Sequence, residues 1–433
     1  MPQAIRAARI LARYMANLGD TMNTPTTKHR VRAVRCEHTA GDEEVYQALK
    51  RATDPLEASW RKLAGARRIG IKFNQDKPPD RVVMRQGHRQ QLVSDPVVRA
   101  TIRLIRERCS AEIFVVDVGV EYHGPEEKRL ECTTIRPVLD EFGVPYVDGN
   151  TDPVTWAKVP GGGLQFGSYP LPASSLEADA FVSVQKAKNH RYMGVTLSMK
   201  NLFGLASIPP DGRPRAYYHH LVRLPYVLAD LGRIYDPALN ILDAMVCQAG
   251  EEWGPGDYPR ECNALIAGDQ TVATDACVTH LMGHDPAADW PAPPFHRDRN
   301  HLLIAAQNGF GTVDLNEIDF HSEVPVPMGA FHANEYDPHE TIRSWLTTTA
   351  EQGLFYAENR ERFVSRHAGE YVLVQMGEVK WSDPDGHIRE SRRVLAGDNP
   401  EQGLWLKYVD PHESEDERYS VYRETLERTG ATT

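Results

Sequence analysis

At 433 residues the chain is long enough for two or three α/β units, and its 41% apolar and 25% charged residues are those of a globular protein with a real core. A formal charge of −11 argues against nucleic acid and anionic membrane surfaces as partners, because phosphate binding needs a basic face. Cys36, Cys109, Cys132, Cys247, Cys262 and Cys277 lie far apart with no Cys-x-x-Cys pair, so they read as free thiols of a cytoplasmic protein, with no iron–sulfur cluster expected.

Residues 1–30 read as a flexible tail. Arg6, Arg9 and Arg13 fall at helical spacing there, but the stretch lacks the apolar run of a secretory signal. No run of about 18 apolar residues occurs anywhere, so no membrane span is expected.

A first α/β half is expected over 31–172. RRIGIKFN reads as a strand, DPVVRATIRLIRERCSA as an amphipathic helix and AEIFVVDVG as another strand, followed by the short helix RPVLDEFGV and the strand PYVDG. The Pro- and Gly-rich stretch 152–172 reads as a loop or irregular hairpin. A second half over 173–326 opens with the strand ADAFVSVQ and turns from loop to helix near Thr196. The helix LPYVLADLGRIY, the strands ALNILDAMV and NALIAGD and the helix TVATDACVTHLMG follow, the last with Asp269 or Thr271 as its expected N-cap. Nearly continuous apolar strands alternating with helices predict mostly parallel sheets covered by helices on both faces.

From 327 to 433 the pattern becomes that of a small α+β module, with a strand pair turned near Asp383 to Gly386 and a charged, solvated helix or tail from Glu413. This module is the expected contact for a second copy of the chain or a partner protein.

In an open parallel sheet, ligands sit outside the carboxyl ends of the strands. The densest loop at such an end is QKAKNHRYMGVTLSMKNLFG, where Lys186, Lys188, His190, Arg191 and Lys200 place four fixed cations and an imidazole within fifteen residues. A basic loop entering a helix suits an anion, because the free N–H groups and the helix dipole favour negative charge. The expected partner is a small carboxylate or phosphate compound. Lys186, Lys188 and Asn201 are its candidate ligands, with Lys72 and Asn74 from the end of the first strand and Arg215 from PPDGRPRAYYHH. His190 and Lys200 are the candidate catalytic groups, because an imidazole titrates near neutrality. Asp243 joins them, because a carboxylate ending an apolar strand is costly unless it faces a site or a partner. His219 and His220 are candidate metal ligands, of which one is expected to face the site. Asp275 is a candidate partner of Lys200, and Glu251, Glu252 and Asp257 suit a mobile rim. His280, His284, His296 and His301 read as helix-end or loop residues outside the site.

VSVQKAKNHRYMGVTLSMKNLFGL resembles the hallmark of the domain-of-unknown-function family 362, and IGIKFN, YVLADLGRIYDPALNILDAM and AGDQTVATDACVTHLMG resemble further segments of it, in order, over about 66–320. The family implies the fold but no reaction. Many members carry a ferredoxin-like cysteine run, which this chain lacks. A more distant resemblance is to lactate racemase, where a strand leads to a His and a Lys ten residues later holds a nickel-pincer nucleotide; His190 and Lys200 have that spacing, although the Gly-rich turn before the Lys is replaced by Leu197, Ser198 and Met199. That resemblance implies an isomerase or racemase with nickel or another metal as cofactor. The other reading of the same residues is a non-catalytic protein that holds an anionic cofactor or metabolite.

Overall fold

A computed structural model describes residues 28–75, 82–85, 87–119, 133–250, 259–386 and 404–431. Residues 1–27 of the expected tail, Cys132, Glu251, Glu252 and Asp257 lie outside the described residues, whereas His29 and Arg30, expected in the tail, belong to a strand.

The body is one mixed, mostly parallel sheet with helices packed on it. Its strands are β1 (His29–Arg35), β2 (Arg68–Phe73), the short pair β3 (Met84–Arg85) and β4 (His88–Arg89) set apart from it, then β5 (Glu112–Asp117) and β6 (Tyr146–Asp148). An antiparallel hairpin of β7 (Val154–Lys158) and β8 (Ser168–Pro172) lies off the sheet, which continues with β9 (Ala180–His190), β10 (Gly194–Thr196), β11 (Leu239–Gln248), β12 (Pro259–Gly268) and β13 (Ile318–Ser322). The order is β13-β1-β12-β11-β9-β2-β5-β6, with β10 folded back on β9.

Strands from the two expected halves thus share one sheet. Two sets of pairings join them: β2 lies parallel to β9, and β1 pairs antiparallel with β12 and parallel with β13, so the first described strand completes the far edge of the second half. Strand order is set by pairing over more than 200 residues, for which local pattern carries no signal.

The central strands are apolar because helices cover both of their faces. Val97, Val98, Ile102 and Ile105 form the buried stripe of the helix Asp95–Arg108, packed with the helix Asp42–Thr53 in one core. On the other side, the helices Arg223–Tyr235 and Thr271–Leu281 are buried almost all round. The second is capped by Gln270, whose side chain accepts from Ala273 N at 2.8 Å. Asp269 is not the cap: it still belongs to the sheet edge, where its carboxylate accepts from Arg30 N at 3.0 Å. No helix among the described residues is long and apolar enough to cross a membrane.

Beyond 327, β14 (Tyr371–Gln375), β15 (Glu378–Asp383) and β16 (Trp405–Tyr408) form a three-stranded antiparallel sheet flanked by the helices His339–Glu358 and Ser420–Thr429. The β14–β15 turn is Met376–Gly377 rather than Asp383–Gly386: both residues have positive φ, 49° and 73°, as a two-residue hairpin between right-twisted strands requires.

The charged stretch from Glu413 does run into a helix, Ser420–Thr429, but it is not solvated. Glu417 pairs with Arg223 at 3.0 Å and with Lys407 at 2.8 Å, and the side chains of all three are fully shielded from solvent. Glu415 pairs with Arg213 at 2.9 Å and accepts from Tyr217 Oη at 2.8 Å. Val421, Tyr422 and Leu426 join Trp405, Tyr217 and Leu224 in one core.

Burial pushes the Glu417 carboxyl up, but Arg223 and Lys407 outweigh it and hold the group at about 2. Its contribution to stability is therefore complete above the ordinary value of 4.5 and is lost as pH falls toward 2. Replacing Glu417 by Gln leaves Arg223 buried without its counter-charge and Lys407 with only Glu413 at 3.5 Å, and should cost about 3–5 kcal/mol in urea unfolding at pH 7, with a shallower decline of stability in acid than the wild type. A urea midpoint equal to that of the wild type would mean that this network is not a stabilising joint.

Candidate functional site

Along β9 every residue is buried, including Ser183, Gln185, Lys186, Lys188, Asn189 and His190. A buried cation needs a counter-charge and hydrogen bonds, and the neighbouring strands provide them. Lys186 lies opposite Asp243 in the parallel β9–β11 register and pairs with it at 2.8 Å. The same Asp243 oxygen accepts from Ser94 N at 2.9 Å and Ser94 Oγ at 2.8 Å, and the other from Met245 N at 3.3 Å. Asp243 is thus the counterion of Lys186 and an anchor for the entry to the helix Asp95–Arg108, not a group with an open face for catalysis.

Lys72 is held in the same manner. Its Nζ pairs with Asp117 at 3.0 Å and donates to Phe73 O at 2.7 Å and to Asn201 Oδ1 at 3.4 Å. Asn201 donates in turn to Lys72 O at 2.9 Å and Ser183 Oγ at 3.0 Å, so it stitches the turn after Ser198 to β2 and β9. A Cβ on Gly204 would lie 2.6 Å from Lys72 Cε, so glycine is required beside this pair. Arg215 spends its guanidinium on Phe203 O at 2.6 Å and Val118 O at 2.7 Å. Lys188 donates to Gln91 O at 3.2 Å, and Asn74 is buried with its backbone N on Val184 O. Among the candidate anion ligands, Lys72, Lys186, Asn201 and Arg215 in this arrangement neutralise or brace the wall of the sheet.

A different set meets beyond the end of β9. The rings of His190 and His219 are 5.8 Å apart, Tyr192 packs on His219 at 5.4 Å and Phe203 at 5.6 Å, and Lys200 Nζ lies 6.0 Å from the Phe203 ring. His301 completes the set. It is wholly buried, and burial, with the charges of Lys200 and His190 added, pushes its imidazole down to about 3, so it stays neutral. Neither ring nitrogen of His301 has a hydrogen-bond partner among the described residues.

The backbone sets the role of His190. Its Nδ1 accepts from Tyr192 N at 3.0 Å and Met193 N at 3.1 Å, so the neutral ring carries its proton on Nε2 and presents a donor. His220 faces two carbonyls, Leu221 O at 3.0 Å and Leu404 O at 2.8 Å, and serves as a brace rather than a metal ligand. Asp275 does not pair with Lys200. It accepts from Ser198 N at 2.9 Å and Met199 N at 2.8 Å, fixing the turn that carries Lys200, while burial raises its carboxyl to about 7 against those bonds.

His301 was missed by sequence reasoning because the Pro-rich stretch before it suggests a surface loop. A local signal exists: Asn300 precedes the apolar run HLLIAAQ and caps it by accepting from Leu302 N at 2.9 Å, placing His301 on the first turn of a buried helix.

The family described as "Domain of unknown function (DUF362)" matches residues 77–280, within the 66–320 span on which the resemblance was read. A thylakoid-associated protein of Synechocystis sp. is 25% identical over 230 residues, covering 51% of this chain and 68% of that protein. The lactate racemase apoprotein of Thermoanaerobacterium thermosaccharolyticum is similar at 13% identity with a TM-score of 0.31, covering 52% of each chain.

The Lys186–Asp243 pair makes a stability prediction that a catalytic carboxylate would not. Asp243→Ala should lower stability by about 3–5 kcal/mol, and adding Lys186→Met should recover part of that loss, because the second change removes the stranded cation. Thermal and urea unfolding of the two single variants and the double variant measure this; an Asp243→Ala protein as stable as the wild type would restore Asp243 as a free site residue.

Proposed function

We propose that Lys200, His190, His219 and His301 bind a small molecule carrying a carboxylate or phosphate and move a proton on it, the chemistry of an isomerase or racemase. The observation that carries this reading is the buried His301 imidazole whose two nitrogens have no hydrogen-bond partner among the described residues. Leaving such a group unmet costs about 1–3 kcal/mol, a penalty that a bound ligand removes by supplying the partner.

The roles divide by chemistry. Lys200 offers a fixed positive charge to the anion. His190 offers its Nε2–H, because its Nδ1 already accepts from two backbone N–H groups. His301, held neutral, can donate from one nitrogen and accept at the other. The mobile proton then falls to His219, the remaining imidazole of the cluster.

The nickel-pincer nucleotide or other metal suggested by the racemase resemblance needs an amine and an imidazole lone pair. Here Lys200, His219 and His301 would hold it, since His190 Nε2 is protonated and His220 is engaged by carbonyls. A metal so held would polarise a bound oxygen as a Lewis acid.

A second reading is a binder without chemistry, favoured by His190 Nδ1 being taken up by two backbone donors, which leaves its ring a donor: holding an anion takes donors, not a base. The two separate in one experiment. Wild-type protein is incubated in D2O with inorganic phosphate and with small carboxylates bearing an α-hydrogen; calorimetry measures binding and NMR follows exchange of that hydrogen. Proton transfer predicts exchange that falls at least about 100-fold in His219→Gln, while Lys200→Met weakens binding. Binding that depends on Lys200 without exchange selects the binder, and absence of binding to every probe overturns both.

A further inference from the structure

A second cluster of ligating side chains lies outside the residues discussed so far. We propose that His296, Glu335 and His339 form a divalent transition-metal site, of the class with two imidazoles and one carboxylate, that fastens the segment 332–339 to the rim beside Tyr192.

The donor geometry carries the assignment. His296 Nδ1 lies 3.1 Å from Glu335 Oε1, and His339 Nε2 lies 3.4 Å from the same oxygen. One ligand atom from each of the three residues falls within a 4.8 Å sphere of mutual distances. Zinc with bonds of about 2.0–2.2 Å in tetrahedral geometry separates its ligand atoms by about 3.4 Å, close to the 3.1 and 3.4 Å at which the two imidazole nitrogens stand from Glu335 Oε1.

The bland alternative is a pair of surface ion contacts. Against it, His296 Nδ1 is shielded from water and makes no hydrogen bond, although Glu335 Oε1 is only 3.1 Å away. The distance suits a hydrogen bond and the direction does not. Two donors that converge without pointing at each other are arranged as ligands of a shared ion. Two imidazoles and one carboxylate suit zinc and its neighbours, whereas calcium and magnesium prefer oxygen ligands. Three protein ligands leave a fourth position for water or a small molecule.

The location gives the site a task. His296 and Glu335 lie 39 positions apart in sequence, and the chain around each is already drawn to the other. Arg297 pairs with Asp337 at 3.5 Å, Arg191 covers the Tyr336 ring at 4.3 Å, and Gly250 N donates to His332 O at 2.8 Å. Arg297 also covers the ring of Tyr192 at 4.4 Å, and Tyr192 packs on His219. A metal on His296, Glu335 and His339 would thus hold the approach to the helix His339–Glu358 against the edge of the Lys200 cluster.

The test uses full-length protein stripped with a chelator and titrated with Co2+ and with Zn2+. The expected result is one equivalent bound at this site, read as the intense visible absorption of four- or five-coordinate cobalt and its displacement by zinc. Loss of an outer-shell partner alone costs 10–100-fold in metal affinity, so His296→Ala and His339→Ala should each weaken binding by at least about 100-fold. Glu335→Gln, which keeps the shape of the side chain, should also weaken it, with circular dichroism showing each variant folded. His219→Ala should keep the full affinity. If wild-type protein binds no more tightly than His296→Ala/His339→Ala, or if binding is lost in His219→Ala and kept in the double variant, the site is not at His296.

Discussion

Lys186 and Asp243 face each other at 2.8 Å in the middle of the sheet, both cut off from water, and much else in the body is arranged around that fact. Neither charge is tolerable alone at such depth. A one-residue slip of β9 against β11 would turn one of the two to the opposite face, so the pair fixes the register of the two central strands. Ser94 binds the same carboxylate through both N and Oγ, which ties the start of the helix Asp95–Arg108 to the pair. Lys72 with Asp117 repeats the device between β2 and β5, and Asn201 extends it to the turn bearing Lys200. The cations nearest the sheet interior therefore build the frame, and the groups left to form a site are those at the end of β9.

This division explains what was legible in the sequence. Strands such as IGIKF and EIFVVD declare themselves because burial on both faces demands unbroken apolar runs, and the Lys-x-Lys-x-His run marks the right edge of the sheet. The fate of each lysine was not legible. Lys72 and Asp117 are 45 residues apart, and no local pattern says that they meet. Asp243 was visible as a carboxylate too costly to bury alone, which is correct physics, but the same cost is met equally by a substrate or by Lys186. His301 lies 111 positions beyond His190 and reaches the cluster only through the packing of its helix.

The C-terminal segment shows how averaging over composition misleads. ESEDER reads as a solvated charge run, yet Glu415 and Glu417 are buried while Asp416 is exposed and Arg418, paired with it, half-buried on the outer side. The chain turns sharply here, with Asp416 N bonded to Glu413 O and positive φ at Glu413 and Asp416, 48° and 52°, so a uniformly charged string can still have an inner and an outer face. The inner face pairs with Arg213, Arg223 and Lys407; Lys407 also has Glu413 at 3.5 Å, whereas the two arginines have no other carboxylate within ion-pair distance among the described residues.

That pairing bears on the site itself. Between Arg213 and Arg223 the chain is gripped at nearly every residue that turns toward 404–422: Arg213 and Tyr217 by Glu415, Tyr218 by the same carboxylate, His220 by Leu404 O and Arg223 by Glu417. His219 sits in the middle of this stretch and turns the other way, onto the rings of His190, Tyr192 and Phe203. A short helix of four residues, Arg215–Tyr218, has little rigidity of its own. The direction of His219 is therefore fixed from behind by the C-terminal carboxylates, which makes that segment part of the scaffold of the anion cluster although none of its residues enters it.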